Sequence, residues 1–312
     1  MVKFEEVTYK SFGRCISMSN GSIELLATVD IGPRIIRFAK IGGENIMFED
    51  ENFSINQDEN KELFAKTFGS DLGTWRICGG HRLWASPELM PRTYYPDNEP
   101  VEYNIDGNKL TLTPPPQRYT QHQMQIVIVM DESKSKVDLY HKITNIGPWG
   151  QKFAPWCLSV LTQNGVEVIP VPNRRTGLLH NRKITFWDYT KMNDSRVTWG
   201  DKYIMLKQNP SEERAFKIGI DSQHGWAAYF VHNDLFIKKF DIVDGAEYPD
   251  EGMCFETYTN NHFLEMESIG EYKTVENDES ISHHESWELA ADIDFPGENE
   301  DALEKVLEKY TK

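Results

Sequence analysis

Short apolar runs separated by turn-forming residues follow one another along almost the whole chain, and they predict β-strands. Most of them alternate apolar with polar residues and are bounded by Gly, Pro, Asn or Asp, as half-buried strands usually are. The clearest runs are Ser22–Asp30, Arg34–Gly42, Met124–Asp131, Lys136–Asn145 and Trp156–Leu161. Hairpin turns are predicted at Asp106–Lys109 and His232–Asp234, where turn-forming residues join two such runs.

Helical patterns are confined to two segments. Asn60–Gly69 has apolar residues at helical spacing and ends in glycine, and the C-terminal segment has an apolar face behind Asn299, a candidate N-cap. The apolar face of that C-terminal segment comprises Leu303, Val306, Leu307 and Tyr310. About fifteen strands without strand–helix alternation predict an all-β protein, a large antiparallel sandwich. No linker or repeat interrupts residues 1–312, so we predict one domain.

The composition is that of a globular protein, because 39% of the 312 residues are hydrophobic and 12% are aromatic. The formal net charge of −16 and the lack of any basic run argue against a nucleic-acid partner. Four scattered cysteines among apolar or small neighbours indicate reduced, buried thiols. The first residues lack the apolar run of a signal peptide, and no segment approaches eighteen apolar residues. We therefore expect a soluble, cytoplasmic protein with no membrane partner.

The segment Gly73–Glu88, GTWRICGGHRLWASPE, places arginines, a histidine and tryptophans beside glycines and is the first candidate site. Glycine permits close approach of a ligand, and His81 can exchange a proton near neutral pH. Arg76 and Arg82 offer forked donors to ligand oxygens. If the segment is extended, Arg76 and His81 lie on opposite faces, unless the glycines reset the register. The alternative is a rigid corner in which Arg82 pairs with Glu88.

A second candidate site lies in Cys254–Gly270, CFETYTNNHFLEMESIG. On a strand, Glu265 and Glu267 lie on the same side, close to an aromatic and amide-rich turn. Two neighbouring carboxylates raise the pKa of one of them, which is how a general base is brought closer to neutrality. The alternative is a solvated strand face, which is common in an acidic protein.

The segment Asn145–Val160 spaces Trp149, Phe153 and Trp156 along a stretch broken by Pro and Gly. Sugar rings have an apolar C–H face that stacks on aromatic planes, so these rings favour a carbohydrate ligand. Packing at a sandwich edge explains them equally well.

The adjacent His283, His284 and Glu285 do not form a predicted metal site. Neighbouring side chains on a strand point to opposite faces, and no third ligand has the spacing of a zinc site. Nucleotide-binding and nucleophile-elbow motifs are also missing, so we predict no metal and no cofactor.

Five motifs in this order resemble the galactose mutarotase-like (aldose 1-epimerase) superfamily, in particular a branch that carries Gly-Gly-His-Arg-Leu-Trp. The motifs are ATVDIGPRIIRF, GGHRLWASPE, ITNIGPWGQKFAPWCLSVL, FETYTNNHFLEMESIG and HHESWEL. The resemblance runs from about residue 7 to residue 292. It implies an antiparallel β-supersandwich whose concave face binds a sugar. It also implies interconversion of sugar anomers by a carboxylate base and a histidine acid, without a cofactor.

The resemblance implies a catalytic role for Glu265 as base, with Glu267 as the competing choice, and places His81 where the family binds the sugar. The substrate-binding residues that it implies are Arg34, Arg76, Arg82, Trp84, Trp156 and Glu267. The two arginines beside His81 favour a saccharide that carries an anionic group.

This sequence departs from the family pattern at the acid. The family's acid is a histidine that follows a Thr-Asn pair, whereas here Pro155 or Trp156 stands at about that place. Either His81 or another residue such as His122 supplies the proton, or the site binds sugar without turning it over. The sequence thus leaves two functions open, a mutarotase-like enzyme and a non-catalytic saccharide-binding or sensing protein.

Overall fold

The computed structural model describes residues 1–311, which form two large antiparallel β-sheets packed face to face. The first sheet contains eleven strands: β1 (Lys3–Thr8), β2 (Arg14–Ser19), β3 (Ile23–Thr28), β4 (Ile35–Lys40), β5 (Gly80–Ser86), β10 (Gln151–Leu161), β12 (Ile184–Phe186), β15 (Phe216–Ile220), β18 (Phe255–Thr259), β19 (Leu264–Ile269) and β20 (Lys273–Val275). Strands β5, β10 and β19 are neighbours in the middle of this sheet. Almost all of their side chains are buried, on both faces of the sheet.

The second sheet contains ten strands: β6 (Glu102–Asp106), β7 (Lys109–Thr113), β8 (His122–Met130), β9 (Lys136–Asn145), β11 (Val166–Pro170), β13 (Val197–Trp199), β14 (Tyr203–Lys207), β16 (Trp226–Val231), β17 (Asp234–Phe240) and β21 (Ser280–Ala291). Three helices accompany the sheets: α1 (Lys61–Phe68), the four-residue turn α2 (Pro249–Gly252) and α3 (Glu300–Thr311). None of the helices within residues 1–311 is long and apolar enough to cross a lipid bilayer.

The core lies between the two sheets and consists of the inward-facing residues of both. Phe38 from the first sheet packs against Phe236 and Trp287 from the second, with ring centroids 6.1 and 5.6 Å apart. Inward and outward residues alternate along each strand, as the pleat requires. The position of a residue along its strand therefore decides whether it meets the core or the outer surface.

The outer face of the second sheet is partly covered by α3. Leu303 and Leu307 are completely buried against that face, and Val306 and Tyr310 pack at its edge. The carboxamide of Asn299 accepts a hydrogen bond from the backbone N–H of Ala302 at 3.0 Å. Both the predicted apolar face and the predicted N-cap are thus confirmed.

The predicted all-β sandwich is confirmed. Strand Lys136–Asn145 has the bounds that the sequence predicts, and the hairpin turns at Asp106–Lys109 and His232–Asp234 are both present. The main difference is Gly80–Ser86, a completely buried central strand that the sequence did not identify as one. Both faces of this strand are covered, so its sequence does not alternate between apolar and polar residues. Its glycine, histidine and arginine also differ from the β-branched residues that usually indicate a buried strand.

Candidate active site

The outer face of the central strands brings together two segments that are distant in sequence. Leu158 on β10 pairs with Arg82 on β5 and with Glu267 on β19, so these three side chains form one row across the sheet. Trp84 and Trp156 pair with each other in the next row. Strand alternation then places Glu265 on the same face as Glu267, as predicted.

A cavity of about 400 Å³ lies over these rows. Its volume is in the range of small-molecule sites, roughly 300–1,000 Å³. Eight of its nineteen lining residues are aromatic, namely Trp75, Trp84, Tyr94, Trp156, Trp187, Tyr189, Tyr258 and Phe263. Its charged members are Arg82, Glu88, Lys217, Glu265 and Glu267. The cavity thus combines flat apolar surfaces with a few charged groups on its floor.

Glu265 and Arg82 form an ion pair on this floor. The Nη2 atom of Arg82 donates to Oε1 of Glu265 at 3.1 Å, and the guanidinium lies 4.2 Å from the ring centroid of Trp84. Burial raises the pKa of Glu265 from 4.5 to about 7, although Arg82 acts to lower it. Near neutral pH this carboxyl group can therefore both accept and release a proton.

A second charged cluster stands beside this pair, and its lysine was not predicted from the sequence. The ammonium of Lys217 lies 2.7 Å from Glu256 and 3.1 Å from Glu267, and the indole N–H of Trp156 also donates to Glu267. Burial acts to lower the pKa of Lys217, but the two carboxylates outweigh it and raise the pKa well above its usual value. Lys217 therefore keeps its proton. The signal for it is one lysine inside an otherwise apolar strand, FKIGI.

Several polar atoms of the cavity residues are buried without a hydrogen-bond partner in residues 1–311. They are Nε and Nη1 of Arg82, Nε1 of Trp75 and Oε1 of Glu267. Buried polar groups usually have partners, and leaving one unpaired costs about 1–3 kcal/mol. Three donors and one acceptor thus remain for the oxygens and hydroxyls of a ligand.

His81 lies on the opposite face of the same sheet, so its predicted convergence with Glu265 is wrong. It is 0% exposed between the two sheets, where Nδ1 hydrogen-bonds the hydroxyl of Ser159 and Nε2 lies 2.7 Å from Nε2 of His141. Burial lowers the pKa of His81 well below its usual value. The physical reason is the pleat, because the residue next to Arg82 must point to the other side.

His81 belongs to a closed polar cluster inside the sandwich. The ammonium of Lys238 lies 2.8 Å from Glu285 and donates to the hydroxyl of Ser159 at 3.0 Å. The hydroxyl of Ser268 contacts both Glu285 and His283. Ligand atoms of His81, His141 and Glu285 lie within 4.8 Å of one another. Their donor types suit a metal ion, but Lys238 already balances the carboxylate, so hydrogen bonding accounts for the cluster.

The other predicted site residues lie outside the cavity. Arg34 is buried in an ion pair with Asp97 at the edge of a separate cavity of about 40 Å³. Arg76 is exposed and its guanidinium lies 5.2 Å from the ring centroid of Phe53, whereas its neighbours Trp75 and Ile77 line the cavity. These two arginines therefore do not line the cavity with Glu265.

His122 and the adjacent histidines near the C-terminus are also away from the cavity. His122 is buried against Phe153, and burial lowers its pKa to about 4. His283 faces the interior, whereas His284 faces outward between Asp138 and Asp241, so the two neighbours point to opposite faces as predicted.

Comparison with solved structures identifies the fold. A Klebsiella pneumoniae protein named as a candidate aldose 1-epimerase matches 100% of this chain and 88% of its own, with a TM-score of 0.60 and 12% identity. A galactose mutarotase-like protein from Clostridium acetobutylicum matches 93% of this chain and 98% of its own, with a TM-score of 0.51 and 12% identity. The chain has the galactose mutarotase-like sandwich fold.

A third structure shows the same sandwich within a longer chain. A TPR-domain containing protein from Parabacteroides distasonis matches 89% of this chain at 12% identity, with a TM-score of 0.58. The present chain spans only 47% of the length of that protein. No protein-family model matches the sequence, and no curated protein is similar enough in sequence to match.

Proposed function

We propose that this protein binds a saccharide in the cavity over β5, β10 and β19 and interconverts its anomers, with Glu265 as the general base. The observation that carries the proposal is the Glu265 carboxyl group, whose pKa of about 7 suits proton exchange at neutral pH, on the floor of an aromatic-walled cavity. The fold shared with a candidate aldose 1-epimerase and a mutarotase-like protein supports it.

The aromatic wall and the unpaired donors suit a sugar. Indole and phenol rings such as those of Trp84 and Trp156 can stack on the C–H face of a pyranose. The free N–H groups of Arg82 and Trp75 can donate to its hydroxyl and ring oxygens. Arg82 and Lys217 are each paired with a carboxylate, so we propose a neutral saccharide in place of the anionic one that the sequence favours.

In the proposed reaction, the Glu265 carboxylate takes the proton of the C1 hydroxyl. The C1–O5 bond breaks, its electron pair stays on O5, and the C1–O1 bond becomes the carbonyl of the open-chain aldehyde. Arg82 donates hydrogen bonds to O5 while negative charge develops there, and water supplies the proton. Rotation about C1–C2 and the reverse steps close the ring on the other face and return the proton from Glu265 to O1.

Anomer exchange measured by NMR saturation transfer on a panel of aldoses tests this function. We expect Glu265→Gln to lower the rate by roughly 10²- to 10⁴-fold, because it removes the base. The wild-type rate should rise with pH through about 7, as Glu265 ionises. Glu288→Gln, on the outer face of the second sheet, is the matched control and should leave the rate unchanged. Equal rates for Glu265→Gln and wild type on every sugar would refute the proposed enzymatic activity.

A second candidate function, saccharide binding without turnover, is favoured by one observation. None of the histidines in residues 1–311 lines the cavity, and Lys217 holds its proton too tightly to donate it near pH 7. Calorimetry that finds sugar affinity, lost in Arg82→Ala, together with unchanged anomer exchange would support the binding protein. We also propose that the protein acts in the cytoplasm, which its four free, buried cysteines support.

A further inference from the structure

A second groove, of about 350 Å³, is lined by exposed aromatic rings and amides. Trp149 is 78% exposed and Tyr119 is 57% exposed, and both rings line this groove together with Gln121, Gln151 and Arg92. Two exposed aromatic rings in one groove form a contiguous apolar surface, and such surfaces often mark ligand-binding sites. The groove therefore has the composition of a sugar-binding surface, with ring planes beside amide donors and acceptors.

The loop that presents Trp149 is held rigidly by one buried side chain. Asn145 is 0% exposed, and its Nδ2 donates to the carbonyl oxygens of Trp149 at 2.7 Å and Val275 at 2.9 Å. Its Oδ1 accepts from the backbone N–H of Gly147 at 3.0 Å and from Nε2 of Gln151 at 2.9 Å. All four bonding positions of the amide are used. The exposed indole thus sits on a preorganised loop, which lowers the entropy lost on binding.

On the other side of the groove, Gln121 has an unfavourable backbone conformation that a hydrogen bond holds in place. Gln121 has a φ of +56°, in the left-handed region that non-glycine residues rarely adopt, and its carbonyl accepts from the N–H of Ile146 at 2.9 Å. A Cβ atom on Gly147 would lie 2.8 Å from Oε1 of Gln121, so the Gln121 side chain packs directly over Gly147. Strained residues of this kind persist where the surrounding structure holds them, often at binding sites.

The groove and the cavity share one short element. This element is the 3₁₀ turn Arg92–Tyr94, in which Arg92 lines the groove and Tyr94 lines the cavity. The Nε atom of Arg92 is buried without a hydrogen-bond partner in residues 1–311, and its Nη2 donates to the carbonyl of Pro87. The turn thus lies between the groove and the cavity, and a ligand long enough to pass it would contact both.

We propose that the groove binds further sugar units of an oligosaccharide whose terminal unit occupies the cavity. This inference rests on the proposed function, because it takes the cavity as the site of that unit. Trp149 and Tyr119 stack on successive sugar rings, and the exposed amide of Gln121 binds their hydroxyls. The saccharide that this protein prefers is then a chain of at least two units.

The test is calorimetry with glucose and mannose against cellotetraose, maltotetraose and mannotetraose. We expect at least one tetrasaccharide to bind wild type more tightly than its monosaccharide. Trp149→Ala and Tyr119→Ala should each weaken that tetrasaccharide by roughly 3- to 10-fold and leave the monosaccharide unchanged. Trp199→Ala, which removes a 42% exposed indole from the edge strand β13, is the matched control and should change neither affinity.

The outcomes separate this inference from the proposed function. Equal affinities for the monosaccharide and the tetrasaccharide, or no difference between Trp149→Ala and Trp199→Ala, overturn the groove proposal and leave the cavity proposal intact. Equal losses for both lengths in Trp149→Ala overturn it as well, because a separate subsite would spare the monosaccharide. If no saccharide binds wild type and no aldose shows enhanced anomer exchange, the cavity proposal fails and the groove proposal falls with it.

Discussion

The two faces of the central strands carry similar residues in different surroundings. The outer face places Arg82, Lys217 and Glu265 on the floor of a cavity, and two N–H groups of Arg82 there have no partner. The inner face places His81 and Lys238 in a closed cluster whose groups bond one another. Residue type therefore does not distinguish a site from a structural network here. Access to a ligand and unpaired donors do, and they assign the chemistry to the outer face.

The largest effect is expected from removing the buried charge inside the sandwich. Lys238→Met should lower the free energy of unfolding by about 3–5 kcal/mol, because it leaves the buried Glu285 carboxylate without a counter-ion. Lys217→Met on the cavity floor removes the counter-ion of both Glu256 and Glu267 but should cost less. Water that enters the cavity can solvate Glu267, and burial raises the pKa of Glu256 well above its usual value, so that this group can take up a proton. Urea unfolding of both variants measures the difference. An equal loss for both would show that the outer face is as closed as the inner one.

A smaller effect is expected from Glu265, and it depends on pH. Its pKa is raised from 4.5 to about 7 in the folded protein, so the folded state holds this proton more tightly than the unfolded chain. Stability should therefore fall as pH rises from about 4.5 to about 7, by roughly 3 kcal/mol from this group. Glu265→Gln should remove that part of the slope in urea unfolding at several pH values. An unchanged slope would place Glu265 in contact with bulk water.

The histidines between the two sheets should change the stability with pH in the opposite direction to Glu265. Burial lowers the pKa of His283 to about 3, so the unfolded chain takes up a proton below about 6.5 while the folded protein does not. The contribution is complete above pH 6.5 and is lost as pH falls, by roughly 2 kcal/mol at pH 5 for this one residue. His283→Gln should flatten the acid side of the stability profile, and His284→Gln, on the outer surface, serves as the control. Equal slopes for both would contradict a sealed cluster.

Much of the fold could be predicted from the sequence, but the choice of face could not. Glu265 and Glu267 were correctly placed on one side, because a strand of six residues fixes their parity. In Gly80–Ser86, Arg82 and Trp84 alternate with His81, and each set mixes polar with apolar residues. Both sides of this strand are buried, so hydropathy does not reveal which side faces the second sheet. Only the packing of the two sheets decides it.

The smallest effect on stability is expected from substituting Arg76. This result would distinguish Arg76 from Arg82, which lies six residues further along the chain. Arg76 is exposed and contacts Phe53, so Arg76→Ala should change the free energy of unfolding by no more than about 0.5 kcal/mol and leave saccharide affinity unchanged. Arg82→Ala removes the partner of Glu265 and two of the three unpaired donors of the cavity, and should abolish saccharide binding. Calorimetry on both variants compares them directly. A loss of affinity in Arg76→Ala would move the ligand out of the cavity, toward the surface beside Phe53.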